Sequence, residues 1–562
     1  MKPTRRQSGI FGIIFICSLL ILSWVGLSKL YPEGGLWRYI PDKIYKVTKI
    51  ALGGDPTGSA IEPQNTPWEL TVAKIFAIGI VIFGAYKIIQ KAFAEQLALL
   101  SASFKRRHYI TIGLSKKGQR LLSSIKKDKG EKAVVIEKDA ELIKRSSVGK
   151  HGHIVVPGDG EDKETLLEAG VLHAAHLMLF LENEQSIIEI VEAIRQIYKR
   201  KKTENHLKCY VHLRHPRLIE LVRNAGLYTD NKQVELHFFN QHKMVARQFY
   251  TRLLNDVYDQ GIHLNTIRQV IIIGYGNFAH ALLLQTLRVL HISADNDVQI
   301  ALYCEQAALN EALFTEHHPK AHKIYPISFH EFTGSFSSML TDRRLHTLDR
   351  QSIIISACDD DQTSLSRSLE LLNVSSRLSF NIYTLNTEGK GLRSLIDGTR
   401  ELPRLKSFGS IEETTTVESI TEEKQDRMAK AIHDDYQKKI SGADSESRRF
   451  ISDWPALPEE AKDASRAQAD HIPFKLMLTG KYLPDTSKIE NLSFSSADVE
   501  RLAMIEHNRW MAHRYLNNWD YGEHRDDNLK HHPSLIPWQD LSEGERQKDR
   551  ETILRLKKVL CS

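Results

Sequence analysis

The densest collection of chemistry-bearing side chains lies near the C-terminus. It runs Glu506-His507-Asn508-Arg509-Trp510, Arg514, Asn518-Trp519-Asp520-Tyr521-Gly522, Arg525-Asp526 and Lys530-His531-His532-Pro533. Ring faces interleaved with cationic forks suit a planar ligand that carries phosphate, because the rings stack on the base and the guanidinium groups hold the anion. Ser495-Ser496-Ala497-Asp498 is a helix start signal. On the helix it opens, His507, Trp510 and Arg514 stand at i, i+3 and i+7 and share one face. Trp519, Tyr521, Arg525 and Lys530 then lie in a loop expected to fold over that face. The competing reading makes the tryptophans the core of a small domain and pairs the arginines with nearby carboxylates.

Two more stretches have the spacing of a phosphate-cradling turn between a strand and a helix. Tyr109-Ile110-Thr111-Ile112 leads into Gly113-Leu114-Ser115-Lys116-Lys117-Gly118, and the next apolar run ends in Glu137. A carboxylate there is placed for a ribose hydroxyl pair. Gly158-Asp159 follows the third apolar run, while Ser115, at the second glycine position, would crowd a pyrophosphate. Val270 to Ile273 leads into Gly274-Tyr275-Gly276-Asn277-Phe278-Ala279, and the following strand ends in Glu305. This second turn is the fuller match. The candidate nucleotide contacts are thus Gly113, Ser115, Gly118, Glu137 and Asp159 in one domain, and Gly274, Gly276, Ala279 and Glu305 in the other. For the first turn, a sheet that only builds a ring is the open alternative.

These turns must be held by sheets. Short apolar runs alternate with helical stretches over residues 105–262 and again over 263–410, which predicts two α/β doubly wound, Rossmann-like domains. Residues 411–452 are charged and poor in apolar side chains, a helical linker with an amphipathic helix over 413–437. The segment 453–562 reads as mainly α, with helices over 459–471, halted by Pro473, over 495–515 and over 541–560.

A chain of 562 residues needs several cores. Its net charge of +6 against 76 basic and 70 acidic residues describes a solvated surface, so no nucleic-acid partner is expected. Five scattered cysteines fit a reducing compartment and offer no zinc spacing. His151-Gly152-His153 reads as an exposed turn rather than a metal pair. No catalytic acid, base or metal set is apparent, so an enzyme is not expected.

The N-terminal 1–104 is different. Residues 9–28 and 72–90 are apolar runs of about membrane-spanning length, and Lys2, Arg5 and Arg6 favour a cytoplasmic N-terminus. Between them, a short helix over 41–51 runs into Thr48, Gly53, Gly54 and Asp55. In position these resemble the pore helix and filter of two-span potassium channels, although the tyrosine and flanking Thr-Val of that filter are missing. An ordinary loop with a Gly-Gly turn is the alternative.

Two further resemblances follow. Gly158-Asp159 and the helix at 165–170 resemble the regulator-of-potassium-conductance (RCK), or TrkA N-terminal, domain. The order Trp510, Trp519-x-Tyr521-Gly522, Arg525-Asp526, Lys530-x-His532-Pro533, Leu541 resembles the ryanodine-receptor (RyR) repeat. Together they imply a membrane-anchored multidomain protein of the bacterial inner membrane, with both termini cytoplasmic, that symmetry would make a homo-tetramer. Its ligand would be a nucleotide: an ADP-ribose derivative, a cyclic nucleotide, NAD or ATP. The expected function is a nucleotide-gated effector or channel that opens or disrupts a two-span pore, as in antiviral defence. A potassium channel or transport protein regulated by NAD or ATP is the alternative, and a membrane-anchored oxidoreductase a third.

Overall fold

The computed structural model describes residues 18–29, 40–51, 67–92, 102, 105–213, 218, 222 and 233–560, with interruptions at 147, 182, 202, 294–297, 333–351, 375–380, 388–389, 399–402, 422–425, 441–451, 455–456 and 485–491. The chain divides into two compact units, Met1–Ser101 and Ala102–Ser562.

The first unit is helical: α1 (Ser18–Lys29), α2 (Ile40–Ala51) and α3 (Trp68–Ala92). Leu19, Leu27, Val47, Ile50, Leu70, Ala73 and Ala77 form its core. The approach of α1 to α3 is close, since a Cβ on Gly26 would lie 2.7 Å from Leu70 Cγ. Lys29 pairs with Glu69 across it. Ile75, Ile78, Val81, Ile82 and Phe83 face outward. Such an exposed apolar face suits lipid. Among the described residues, Trp68–Tyr86 is the one stretch of helix long and apolar enough to cross a membrane. Of the expected first span, 9–17 lie outside the described residues, and α1 alone is too short. Thr48 sits in the last turn of α2, its hydroxyl donating to Ile44 O (2.9 Å); Gly53, Gly54 and Asp55 lie outside the described residues.

The second unit holds two parallel six-stranded sheets of one topology. The first contains β1 (Tyr109–Ile112), β2 (Val134–Glu137), β3 (Ile154–Pro157), β4 (His176–Leu179), β5 (Leu207–His212) and β6 (Val234–Phe239), in the order β3-β2-β1-β4-β5-β6. The second contains β7 (Gln269–Ile273), β8 (Gln299–Cys304), β9 (Ile327–Glu331), β10 (Ser352–Ser356), β11 (Ile382–Leu385) and β12 (Leu405–Phe408), in the order β12-β11-β10-β7-β8-β9. Each order reverses beside its first strand, which creates a crevice at the strand C-termini. Helices α4 (Lys116–Lys129) and α7 (Asn277–Val289) open from the two glycine turns, and α5 (Glu184–Arg200) follows β4.

Helix α6 (Gln241–Asp259) joins the sheets. It buries Val245, Phe249, Leu253 and Val257 in a core that continues through Leu283 and Ile300 to Ile472, Phe474, Leu502 and Trp538. The C-terminal helices α8 (Glu459–Leu478), α9 (Ser496–Leu516) and α10 (Glu543–Leu554) therefore share one core with the second sheet. Helix α8 does not stop at Pro473, as the sequence suggested, but carries it internally. Buried Ile472, Phe474 and Leu476 continue the packed face and offset the missing N–H. The expected helix over 413–437 is three short ones, Ile411–Thr414, Val417–Thr421 and Arg427–Ile440, because Val417 and Ile420 turn into the first sheet's core. The last helix is likewise divided, into α10 and Leu556–Leu560.

Candidate functional site

In the first sheet, the all-buried β1 ends at Gly113, whose φ of +93° favours glycine. A Cβ there would lie 2.9 Å from Leu181 Cδ2, and one on Gly118 would lie 2.3 Å from Gly113 O. The two glycines thus serve the turn and the close seating of α4 on it. Ser115 caps α4, accepting from Gly118 N (3.4 Å). Glu137 turns back under the loop. Its Oε2 accepts from Leu114 N (2.6 Å) and its Oε1 from Asp139 N (2.9 Å). Asp159 Oδ1 accepts from Glu161 N (3.1 Å), and its Oδ2 lies 3.3 Å from Lys138 Nζ. Between them is a crevice of about 210 Å³, lined by Gly113, Glu137, Lys138, Asp159, Asn183 and Ser186 among others. Gly113, Glu137 and Asp159 are therefore brought to one cavity, with Ser115 and Gly118 behind it in the turn. Lys138 and Asn183 were not singled out in the sequence. Lys138 stands one place beyond Glu137, and Asn183 caps α5.

The second turn is built differently. Gly274 (φ +95°) packs against the strand end opposite, a Cβ there lying 2.8 Å from Ala357 O. Gly276 has an extended φ of −115°, and a Cβ on it would lie 1.8 Å from Asp359 Oδ1. A carboxylate of the chain thus stands where a ligand phosphate would meet the turn. Tyr275 folds away from the turn, its hydroxyl 3.1 Å from His280 Nδ1 and its ring edge-on to Phe329. Ala279 is buried in the first turn of α7, and Glu305 is exposed just past the end of β8.

At the C-terminal cluster, α9 brings His507, Trp510 and Arg514 together as the spacing predicted. His507 stacks on Trp510 (centroids 5.6 Å apart), and its Nε2 meets Ile536 O at 2.8 Å. The Arg514 guanidinium lies 4.3 Å from the Trp519 ring and 5.5 Å from Trp510. Trp519 is buried and donates from Nε1 to Glu460 (2.7 Å). Glu460 is also 3.9 Å from Arg514 Nη1, and Arg514 Nε is buried without a hydrogen-bond partner. His532 completes the cage edge-on to Trp510. Burial, then repulsion from Arg514 and Arg525, pushes the His532 pKa down to about 4. Glu460 carried no functional signal of its own in the sequence, whereas His532 lay within the C-terminal cluster but was not named as a ligand contact. Lys530 donates to Asn517 O at the end of α9, Arg525 pairs with Asp527, and Tyr521 is exposed. These three line the loop rather than the cage. Both expectations for the tryptophans meet here: Trp519 is core, while Trp510 is half-buried beside a cation.

The turn at His151-Gly152-His153 is exposed only at His151. His153 is buried and its Nδ1 accepts from Ala133 N (3.0 Å), while Gly152 takes the turn at φ +81°.

The geometry defines two Rossmann-like parallel-sheet domains with a helical C-terminal region, and two stretches of the chain match known domain families. Residues 109–229 match the TrkA-N domain, and residues 484–562 match the RyR domain. Among solved structures, a point mutant of GsuK is similar over 74% of this chain and 98% of its own, at 15% identity and a TM-score of 0.40. GsuK bound to ADP is similar over 72% and 95%, at 15% identity and 0.38. The GsuK channel bound to NAD is similar over 75% and 85%, at 12% identity and 0.38. These distant likenesses carry none of the functional argument.

Proposed function

We propose that the chain is a nucleotide-regulated ion channel or transport protein of the cytoplasmic membrane, with its sensor in the crevice of the first sheet. The observation that carries this is the meeting of Gly113, Glu137 and Asp159 on an open cavity inside the TrkA-N match. Glu137 would exchange its bond to Leu114 N for a ribose hydroxyl pair, releasing that N–H toward phosphate. Glu137 and Asp159 both repel a 2′-phosphate, so NAD or ATP suits the crevice better than a phosphorylated relative. At about 210 Å³ the cavity fits part of a nucleotide, and binding would widen it; pockets for whole ligands run from about 300 Å³. That widening is the proposed link to a pore formed by a homo-tetramer, with both termini cytoplasmic. The TrkA-N match favours potassium as the ion. No reaction is assigned to the chain.

A second reading makes the C-terminal cage the sensor of an effector that dissipates ion gradients, as an antiviral defence protein would. The orphaned Nε of Arg514 favours it. Because Arg514 already fills the space beside both indoles, the cage would take an anionic group onto Arg514 rather than a base between the rings.

Purified full-length chain, unfolded thermally against NAD, ATP, ADP-ribose and cyclic nucleotides, tests both. Ligand at 100 times its Kd adds about 2.7 kcal/mol. Loss of the response in Glu137→Gln supports the crevice; loss in Arg514→Gln alone supports the cage. No response to any nucleotide removes both.

A further inference from the structure

The first sheet has a second feature that nucleotide binding does not use. Its strands are parallel, so the loops that feed β1, β2, β4 and β5 gather at the edge opposite the crevice. That edge is basic. Arg106 precedes β1, Lys127 and Lys129 end α4, Lys132 precedes β2, and Arg200 and Lys201 lie between α5 and β5; all six are exposed. Asp128, Glu131, Glu168 and Glu204 are the exposed carboxylates of the same loops. The helix dipole accounts for cations in the last turns of α4 and α5. It does not account for Arg106, Lys132 and Lys201, which stand outside those helices.

The second sheet shows what covers such an edge when the chain covers it itself. There His471 of α8 bonds His291 O (2.9 Å), Lys320 donates to Asn518 O (3.1 Å) and Lys323 pairs with Asp520 (3.0 Å). Helix α8 and the loop after α9 thus pack against it and pair with its lysines.

We infer that the basic edge of the first sheet is an electrostatic docking surface for anionic lipid headgroups. The inference rests on the membrane reading above. The chain enters the unit at this edge, at Ala102, and in sequence only residues 93–101 separate it from the apolar α3. Clustered Lys and Arg beside an apolar segment bind anionic lipid and weaken with salt. Nucleic acid is the less favoured partner, because no exposed Phe, Tyr or Trp interleaves these cations in the described loops.

The test uses the full chain in lipid nanodiscs, of phosphatidylcholine alone or with about one-third phosphatidylglycerol, read by hydrogen exchange. Residues 126–133 and 199–206 should exchange about tenfold more slowly in the anionic discs, and the difference should vanish near 0.5 M salt. The combined variant Arg106→Gln, Lys132→Gln, Lys201→Gln should lose the difference while keeping its unfolding temperature and nucleotide response. Equal exchange in both discs would overturn the proposal and leave the membrane reading intact. Protection by added RNA but not by phosphatidylglycerol would overturn it in favour of nucleic acid. A chain that enters neither disc would remove the membrane reading, and this proposal with it.

Discussion

In the first sheet the turn at Gly113 borders a crevice of about 210 Å³, whereas in the second the turn at Gly276 meets Asp359, whose Oδ1 would lie 1.8 Å from an added Cβ. The opposite edges differ as well. One is exposed and basic, the other packed against the C-terminal segment. Two sheets of one strand order have thus been put to different uses. The weaker glycine pattern has the open crevice, and the fuller pattern has a carboxylate against it. A glycine at such a turn reports only that something approaches the backbone closely. In the second sheet, that something is part of the chain.

The comparison holds only while the sheets keep their places, and the largest effect is expected there. Asp426 accepts from Arg247 of α6 (2.6 Å) and Arg466 of α8 (2.7 Å), and both arginines are largely buried. These guanidinium groups hold its carboxyl well below the usual range against the opposing effect of burial. Asp426→Ala removes the carboxylate that bridges the two guanidinium groups but leaves Arg247 on Asp470 and Arg466 on Glu459 and Asp463, and should cost about 2–3 kcal/mol in denaturant unfolding. Next, Gly113→Ala forces a side chain into positive φ and against Leu181; it should cost about 1–3 kcal/mol and abolish the nucleotide response. Gly276→Ala should leave that response unchanged, since its φ is ordinary and only Asp359 must move.

Asp359→Gly sharpens the comparison from the other side. Removing the carboxylate should expose the second turn and raise calorimetric stoichiometry from one nucleotide per chain toward two. The smallest effect is on pH dependence. His280 and His318, with ring centroids 5.8 Å apart beside the second sheet, are both pushed down to about 4, chiefly by burial. They stay neutral in the folded chain at pH values where the unfolded chain, titrating near 6.5, takes up protons. Stability should therefore fall as pH drops from about 6.5 toward 4, lowering the unfolding temperature by a few degrees between pH 7 and 5. His318→Asn should flatten that slope.

Much of this was legible in the sequence. The buried strands β1, β2, β7, β8 and β10 are short apolar runs bounded by turns, and they give the doubly wound fold directly. The face shared by His507, Trp510 and Arg514 followed from helical spacing. The edge strands β6, β9 and β12 were not legible, because Val-Glu-Leu-His-Phe-Phe, Ile-Ser-Phe-His-Glu and Leu-Lys-Ser-Phe mix polar and apolar residues. Nor was the role of Asp359, which is 83 residues from Gly276 and reaches it only when β10 pairs with β7. Glu460 was hidden for the same reason: Trp519 meets it across 59 residues. Spacing reveals what one element does; it does not reveal which distant side chain fills the space opposite.

The most direct test of the open first crevice is isothermal titration of the full-length chain with NAD and ATP, repeated on Glu137→Gln and Glu305→Gln. The account predicts one site per chain, lost in Glu137→Gln and kept in Glu305→Gln. A site lost in Glu305→Gln and kept in Glu137→Gln would place the ligand in the second sheet and contradict it.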